Sequence, residues 1–279
     1  MDKQIQDLQG VARTLIVPLQ ARAMEARRKD AIVRDENAQE ILDRLGIEFD
    51  GKFNRLWFMH LAIVIRTKLL DDACKTFLQE HPAGVVINLG CGLDSRFGRV
   101  DNGRVRFYEL DQPEVIELRR RLFKASDRDR LIAKSVLDFS WTNDVPAGEP
   151  TLLIAEGLLY YLAEEENRRL LDQLAQSFPG AQMLIDMFPP IAVGGSAGAH
   201  PSLRQSRSHP RFKWGLKDSR ELETWNPAIR FVEEWLTMDF HPRRWKWMRF
   251  LNLIPALKRL MSSRIVKLRF ALNSVNKSK

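Results

Sequence analysis

A chain of 279 residues, 44% of them hydrophobic, buries a substantial core, which excludes a disordered polypeptide or a disulfide-stapled miniprotein. The formal charge of +8 makes the surface attractive to anions: nucleic acid, an acidic membrane or a carboxylate-bearing small molecule. The two cysteines, Cys74 and Cys91, lack metal-ligand spacing, the first residues are too polar for a secretory signal, and no apolar run reaches the roughly 18 residues of a spanning helix, so the expectation is a cytoplasmic protein.

Apolar residues at helical spacing predict helices over Leu8–Arg28, Asn37–Leu45 and Leu56–Leu78, the last with Arg66 and Lys68 near its middle. No strand signal precedes Val85, so residues 1–80 read as a helical N-terminal extension of an α/β core, and 1–279 as a single domain. From there the pattern alternates. Strands are expected at Val85–Leu89, Val105–Leu110, Leu131–Val136, Thr151–Ala155 and Ala181–Met187, with helices at Pro113–Phe123 and Glu164–Phe178. Strand, helix, strand in that order gives parallel strands with right-handed crossovers, a doubly wound sheet whose ligands lie beyond the carboxyl ends of its strands. Asn88 to Asp94, Asp111, Asp138 and Glu156 fall at those ends.

The Pro-, Gly-, Ser- and His-rich stretch Pro189–Trp214 carries little apolar periodicity and would hang over the ligand crevice. Residues 189–225 are therefore expected to form a lid and substrate region. A helix over Lys217–Trp225 and strands over Ile229–Asp239 and Ile265–Phe270, with a helix between them, bring the sheet to seven strands.

The chemistry-bearing segment is Val85-Val86-Ile87-Asn88-Leu89-Gly90-Cys91-Gly92-Leu93-Asp94-Ser95-Arg96, followed by Phe107-Tyr108-Glu109-Leu110-Asp111. A buried strand, a glycine turn and a second strand ending in an acid suit a nucleoside whose ribose hydroxyls meet that acid. The third glycine of a dinucleotide fingerprint is missing, and no Gly-Lys-Ser/Thr of a phosphate loop follows. A nucleoside without phosphates, S-adenosylmethionine, fits both absences.

Gly90-x-Gly92-Leu93-Asp94-Ser95-Arg96, Tyr108-Glu109-Leu110-Asp111-x-Pro113-Glu114-Val115 and Ile154-Ala155-Glu156-Gly157-x-x-x-Tyr161-Leu162 resemble the leucine carboxyl methyltransferase family. The likeness is strongest to its bacterial branch of polyketide carboxyl O-methyltransferases of the tetracenomycin type. Upstream, Ala21-Arg22-Ala23-Met24-Glu25-Ala26-Arg27 and Ile65-Arg66-Thr67-Lys68-x-x-Asp71-Asp72 also match, in the right order. The resemblance implies a Rossmann-like class I methyltransferase fold with a mostly parallel seven-stranded sheet, a helical N-terminal extension and a lid insertion. It implies S-adenosylmethionine as cofactor, S-adenosylhomocysteine as product, and no metal.

By the same resemblance, Gly90 and Gly92 approach the methionine end of the cofactor and Asp111 takes the ribose, unless that acid merely caps the helix opening at Pro113. Arg66 clamps the methionine carboxylate with its forked guanidinium. Val136 and Leu137 read adenine through their backbone, and Glu156 sits near the cofactor's amino end. Tyr161 orients the nucleophile at the methyl-transfer site or, alternatively, only packs beneath the lid. Arg22 is a second anion-binding candidate, joined by the basic lid residues Arg204, Arg207, Arg211 and Lys213 for an acidic small-molecule substrate.

No histidine pair has metal spacing and no serine sits in a nucleophile elbow, so hydrolysis has no support. A carboxylate nucleophile is ionised at neutral pH and needs positioning rather than a base, whereas a phenol, with a pKa near ~10, needs a base such as His200 or His209. Methylation of a protein C-terminus is the competing carboxyl substrate. A reading of a different class comes from the tail: after Asp239 there is no acid, and Arg243, Arg244, Lys246 and Arg249 interleave with Trp245, Trp247 and Phe250. Such a surface suits an acidic membrane, with nucleic acid the less favoured anion, unless the aromatics pack on the sheet and leave the cations wet.

Overall fold

Residues 14–47, 56–188, 190–195 and 210–272 are described by a computed structural model of the chain. Its centre is a sheet of seven strands: β1 (Val85–Leu89), β2 (Arg106–Asp111), β3 (Asp129–Ala133), β4 (Thr151–Ala155), β5 (Gln182–Met187), β6 (Ile229–Leu236) and β7 (Arg264–Phe270). The order is β3-β2-β1-β4-β5-β7-β6, with β1 to β5 parallel and β7 antiparallel to both its neighbours.

The apolar runs of β1 and β4 are buried at every position because the sheet is covered on both faces. Val85, Ile87 and Leu89 pack with Leu153, Met183 and Ile185 under Leu170, Leu171 and Leu174 of α6 (Glu164–Ser177). The alternate residues Val86, Leu152, Ile154 and Leu184 meet Leu70, Cys74, Phe77 and Leu78 of α3 (Trp57–Glu80). Pro113 opens α5 (Pro113–Leu122), where its missing N–H costs nothing.

The N-terminal helices α1 (Ile16–Ala26) and α2 (Glu36–Arg44) form a satellite layer. Ile16, Leu19 and Ala23 pack against Ile41 and Leu42, and both helices rest on Leu93 and on Val115, Leu118 and Leu122 of α5. A buried carboxylate fastens this layer to the sheet. Asp35 caps α2 by accepting from the Ala38 N–H (3.2 Å), and its Oδ2 accepts from Arg22 Nε (2.7 Å), Ser95 Oγ (2.5 Å) and Nη1 of Arg99 in α4 (Arg96–Val100; 3.2 Å). Burial works to raise the Asp35 pKa, but Arg22, Arg99 and the Ser95 hydroxyl bring it below the ordinary carboxylate value.

Several boundaries differ from expectation. The third strand ends at Ala133 rather than Val136, because the chain leaves this edge early and Val136 turns inward to the Trp141 cluster. Lys217–Trp225 is a 3₁₀ turn over Ser219–Thr224, closed by the Asp218 side chain. The sixth strand stops at Leu236, and the helix expected before the last strand is α7 (Pro255–Met261), preceded by a 3₁₀ stretch, Pro242–Leu253. Residues 8–13 of the first expected helix lie outside the described residues. No helix among the described residues is long and apolar enough to cross a membrane.

Asp35→Asn keeps the cap but strands the Arg22 and Arg99 charges, so it should cost about 3–5 kcal/mol at pH 7. With the folded pKa below the unfolded value of about 3.9, that stability is present above pH 4 and lost as pH falls through the folded pKa. Urea unfolding at pH 7 and pH 3 should show the wild-type advantage narrowing in acid; an equal gap at both values refutes the assignment.

Candidate active site

Strand order reverses between β1 and β4, and a cavity of about 740 Å³ opens at their carboxyl ends. One wall is the glycine turn. Gly90 (φ +67°) and Gly92 (φ +49°) lie in the left-handed region, and a Cβ on Gly90 would come within 3.0 Å of the Leu158 side chain. The N–H groups of Gly90 and Cys91 donate to the Leu110 carbonyl at 2.8 and 3.1 Å. Arg119 clasps the turn from behind: its Nη1 donates to the carbonyls of Gly92 (2.9 Å) and Asp94 (2.8 Å), and its Nη2 to Glu109 Oε1 (2.8 Å). Asn88 donates to the other Glu109 oxygen at 2.9 Å. Asp111, at the end of β2, accepts from the Gly92 N–H on one oxygen and the Gln112 N–H on the other, each at 2.7 Å. Burial raises its pKa against the pull of those two donors.

The second wall carries Arg66 and Glu156, the near end of a chain of buried charges that runs behind the cavity. Arg66 donates from Nε to Glu156 Oε1 (2.9 Å) and from Nη1 to Asp186 Oδ2 (2.6 Å), and bonds the Tyr160 hydroxyl. The other Glu156 oxygen accepts from Arg96 Nη2 at 2.5 Å. Arg96 is fully buried and also pairs with Asp71 and Asp94, each at 2.8 Å. Asp71 and Asp94 are in turn held by Arg99, which reaches Asp35. Burial alone would raise Glu156, but Arg66 and Arg96 outweigh it and its pKa falls. For Asp186 burial wins and its pKa rises, although Arg66 and the Gly157 N–H oppose the shift.

Arg22, Arg66, Gly90, Gly92, Asp111, Val136, Leu137, Glu156, Tyr161 and Lys213, singled out from sequence, all line this one cavity. Val136 and Leu137 sit in the loop beyond β3; the Val136 carbonyl accepts from Trp141 Nε1 (3.2 Å) and the Leu137 N–H donates to Ser135 Oγ (3.2 Å). Arg22 borders the cavity with its guanidinium already engaged by Asp35 and, at 2.8 Å, by the Leu93 carbonyl, so it latches α1 to the glycine turn. Asp138 is turned away and caps a 3₁₀ turn. Tyr161 is bonded to Thr14, and burial pushes its hydroxyl up to about 12, so it stays protonated at neutral pH. Lys213 has no acid partner among the described residues, and its backbone N–H donates to the Tyr160 carbonyl at 2.7 Å. Arg211 is exposed and outside the lining, while Arg204, Arg207, His200 and His209 lie outside the described residues.

Sequence reading missed Tyr160, Asp186, Arg96 and Arg119. One signal was available for Asp186: a lone acid inside the apolar run Met183-Leu184-Ile185-Asp186-Met187 must find a buried cation. The outer half of the cavity is apolar, formed by Phe58, Met59, Ile63, Phe188, Phe212, Met238, Trp245 and Met248. Tyr160, Phe188 and Phe212 cluster there with ring centroids 4.4 to 5.2 Å apart. No histidine lines it, and no cluster of metal-ligating side chains occurs, among the described residues.

Comparison with known proteins identifies the family. The family model for leucine carboxyl methyltransferases matches residues 16–175. The tetracenomycin polyketide synthesis O-methyltransferase TcmP of Streptomyces glaucescens is 35% identical over 233 residues, 83% of this chain and 85% of that protein. An S-adenosyl-L-methionine-dependent methyltransferase, dpfgK, of Gibberella zeae is 29% identical over 262 residues, covering 87% and 88%. Among solved structures, magnesium protoporphyrin IX methyltransferase from Synechocystis, with bound S-adenosylmethionine, superposes with a TM-score of 0.51 at 12% identity. That match covers 85% of this chain and 90% of the other, and it bears on the fold alone. This chain is an S-adenosylmethionine-dependent methyltransferase and belongs to the leucine carboxyl methyltransferase family.

Proposed function

We propose that the chain methylates the carboxylate of an apolar, aromatic or polyketide-like small acid. The observation that carries this reading is the outer cavity: an aromatic and aliphatic wall offering one unpaired cation, Lys213, and no histidine among the described residues. A carboxylate needs a counter-ion and alignment, whereas a phenol needs its proton removed.

The residues at the inner end fit S-adenosylmethionine, which supplies an electrophilic methyl group on a sulfonium. Each Asp111 oxygen accepts one backbone N–H and keeps a second lone pair for a ribose hydroxyl. Glu156, which lines the cavity, presents a carboxylate suited to an ammonium, and Arg66, with five N–H donors, has capacity left for a carboxylate after binding Glu156 and the buried Asp186 behind it. The left-handed glycines keep side chains out of this end. Tyr161, protonated and beside the aromatic cluster, donates to an acceptor oxygen and does not remove a proton from it. Rate acceleration then comes from alignment and from excluding water within an apolar chamber.

Three outcomes test the reading. With labelled cofactor, aromatic acids should be methylated at a rate that is flat above about pH 6, since free carboxyls titrate near ~4. Methylation confined to phenols, or a rate climbing toward pH 10, overturns it. Lys213→Met should raise KM for acidic acceptors roughly tenfold while cofactor Kd by calorimetry stays unchanged. Asp111→Asn should weaken cofactor binding by about 1.5–3 kcal/mol, roughly ten- to a hundredfold. Wild-type affinity in that folded variant would remove Asp111 from the ribose site.

A further inference from the structure

The 3₁₀ stretch Pro242–Leu253 breaks at Lys246, whose φ of +52° is left-handed, and resumes through Trp247 to Leu253. In a 3₁₀ helix residues three apart eclipse one another, so this segment presents three stripes. Met248 and Leu251 turn inward and pack in the cluster that holds Leu61 and Val64 of α3. Trp247, Phe250 and Leu253 form a second apolar stripe, 67%, 58% and 77% exposed. Packing the segment onto the protein uses only the first stripe; the second is surplus to folding. It continues into Ile254, 56% exposed, and on to Leu260 and Met261, which are partly exposed and line the cavity mouth.

The charge around this stripe is one-sided. No acid follows Asp239 in the chain. Five of the cations beyond it are paired with acids elsewhere. Arg243, Lys246 and Arg249, which border the stripe, have no acid partner among the described residues. Lys246 lies over the Trp57 ring at 4.7 Å and Arg249 over Phe250 at 5.0 Å. Aromatic and aliphatic side chains projecting from a backbone edged with arginine and lysine suit the headgroup boundary of an anionic bilayer.

We infer that this stripe is an interfacial docking surface for an anionic phospholipid membrane, and that it sets the cavity mouth against the bilayer. Two other occupants fit less well. A second copy on the same face would set these cations against themselves, with no acid to meet them. RNA would use the cations and rings but leave Leu253, Ile254 and Leu260 without partners, since aliphatic groups offer no stacking plane. The acceptor would then be an amphiphilic acid that partitions into membranes; that clause alone rests on the methyl-transfer reading above.

The test is cosedimentation of the full chain with vesicles of phosphatidylglycerol and phosphatidylcholine, or of phosphatidylcholine alone, at low and high salt. Binding should require phosphatidylglycerol and weaken with salt. It should fall about fivefold for each cation removed by Arg243→Ser and Arg249→Ser. Trp247→Ser, Phe250→Ser and Leu253→Ser together should lower it by about a hundredfold or more. All these positions lie outside the cavity lining, so thermal midpoint and cofactor Kd should stay at wild-type values. Equal binding to both vesicle types, no binding, or an unaffected triple variant overturns the proposal. So does a wild-type dimer that the triple variant converts to monomer, or salt-sensitive binding to single-stranded RNA without vesicle binding. Failure of the wild type to bind S-adenosylmethionine would count against the catalytic reading and leave the vesicle result standing.

Discussion

Four arginines and five acids, Arg22, Arg66, Arg96 and Arg99 with Asp35, Asp71, Asp94, Glu156 and Asp186, run in one connected, largely buried series across the open end of the sheet. Charges removed from water are costly unless each meets an opposite charge in good geometry, so every member fixes the position of the next. Arg66 ties α3 to the ends of β4 and β5; Arg96 ties α4 to α3 and β4; Arg99 and Arg22 carry the tie to the α1–α2 connection through Asp35. Such a series is a poor source of net stability compared with apolar packing. What it supplies is a single arrangement of the elements around the cavity, and a guanidinium fork suits that task better than an ammonium because it binds two carboxylates in fixed directions.

The series has one acid more than it has arginines. Glu156 is satisfied twice, by Arg66 and Arg96, and its pKa falls; Asp186 has only Arg66 and the Gly157 N–H, and its pKa rises. A ligand bearing a sulfonium and an ammonium against one carboxylate carries a net positive charge. Such a ligand, bound against Glu156, would offset the extra acid of the series. The loss of the sulfonium charge on methyl transfer would remove part of that attraction, which favours exchange of product for fresh cofactor.

The sequence made legible what depends on local patterning. β1 and β4 are short apolar runs buried on both faces, and their ends are read to the residue; the glycine turn is legible because its left-handed backbone all but requires glycine. The edge strand β3 is misplaced because its burial is partial and its apolar neighbours Val136 and Leu137 belong to the next loop. The helix expected between the last two strands is present as the short α7, but the 3₁₀ stretch before it, with residues in register every three places, was not anticipated. Arg96 and Arg119 were illegible for another reason. Arg96 meets Glu156 60 residues on and Arg119 meets the Asp94 carbonyl 25 residues back, and an arginine without its partner in view reads as a solvated surface charge.

Under the proposed reading, cofactor recognition and acceptor recognition are built from different materials. The inner end is made of strand termini, backbone amides and locked ion pairs, none of which changes without disturbing its neighbours. The outer end is made of aromatic and aliphatic side chains on the start of α3, on the connections around β5 and on the tail, where one bulk is exchangeable for another at modest cost. Gly194 and Gly195 pair with Phe212 through backbone bonds of 2.8 and 2.9 Å, and Lys213 is bonded to the Tyr160 carbonyl. Phe212 and Lys213 are thereby held at fixed points in the cavity wall. Under the proposed reading, outer side chains that exchange bulk leave the charge series behind them in place, so acceptor preference in such a fold can drift while the methyl-donor site stays intact.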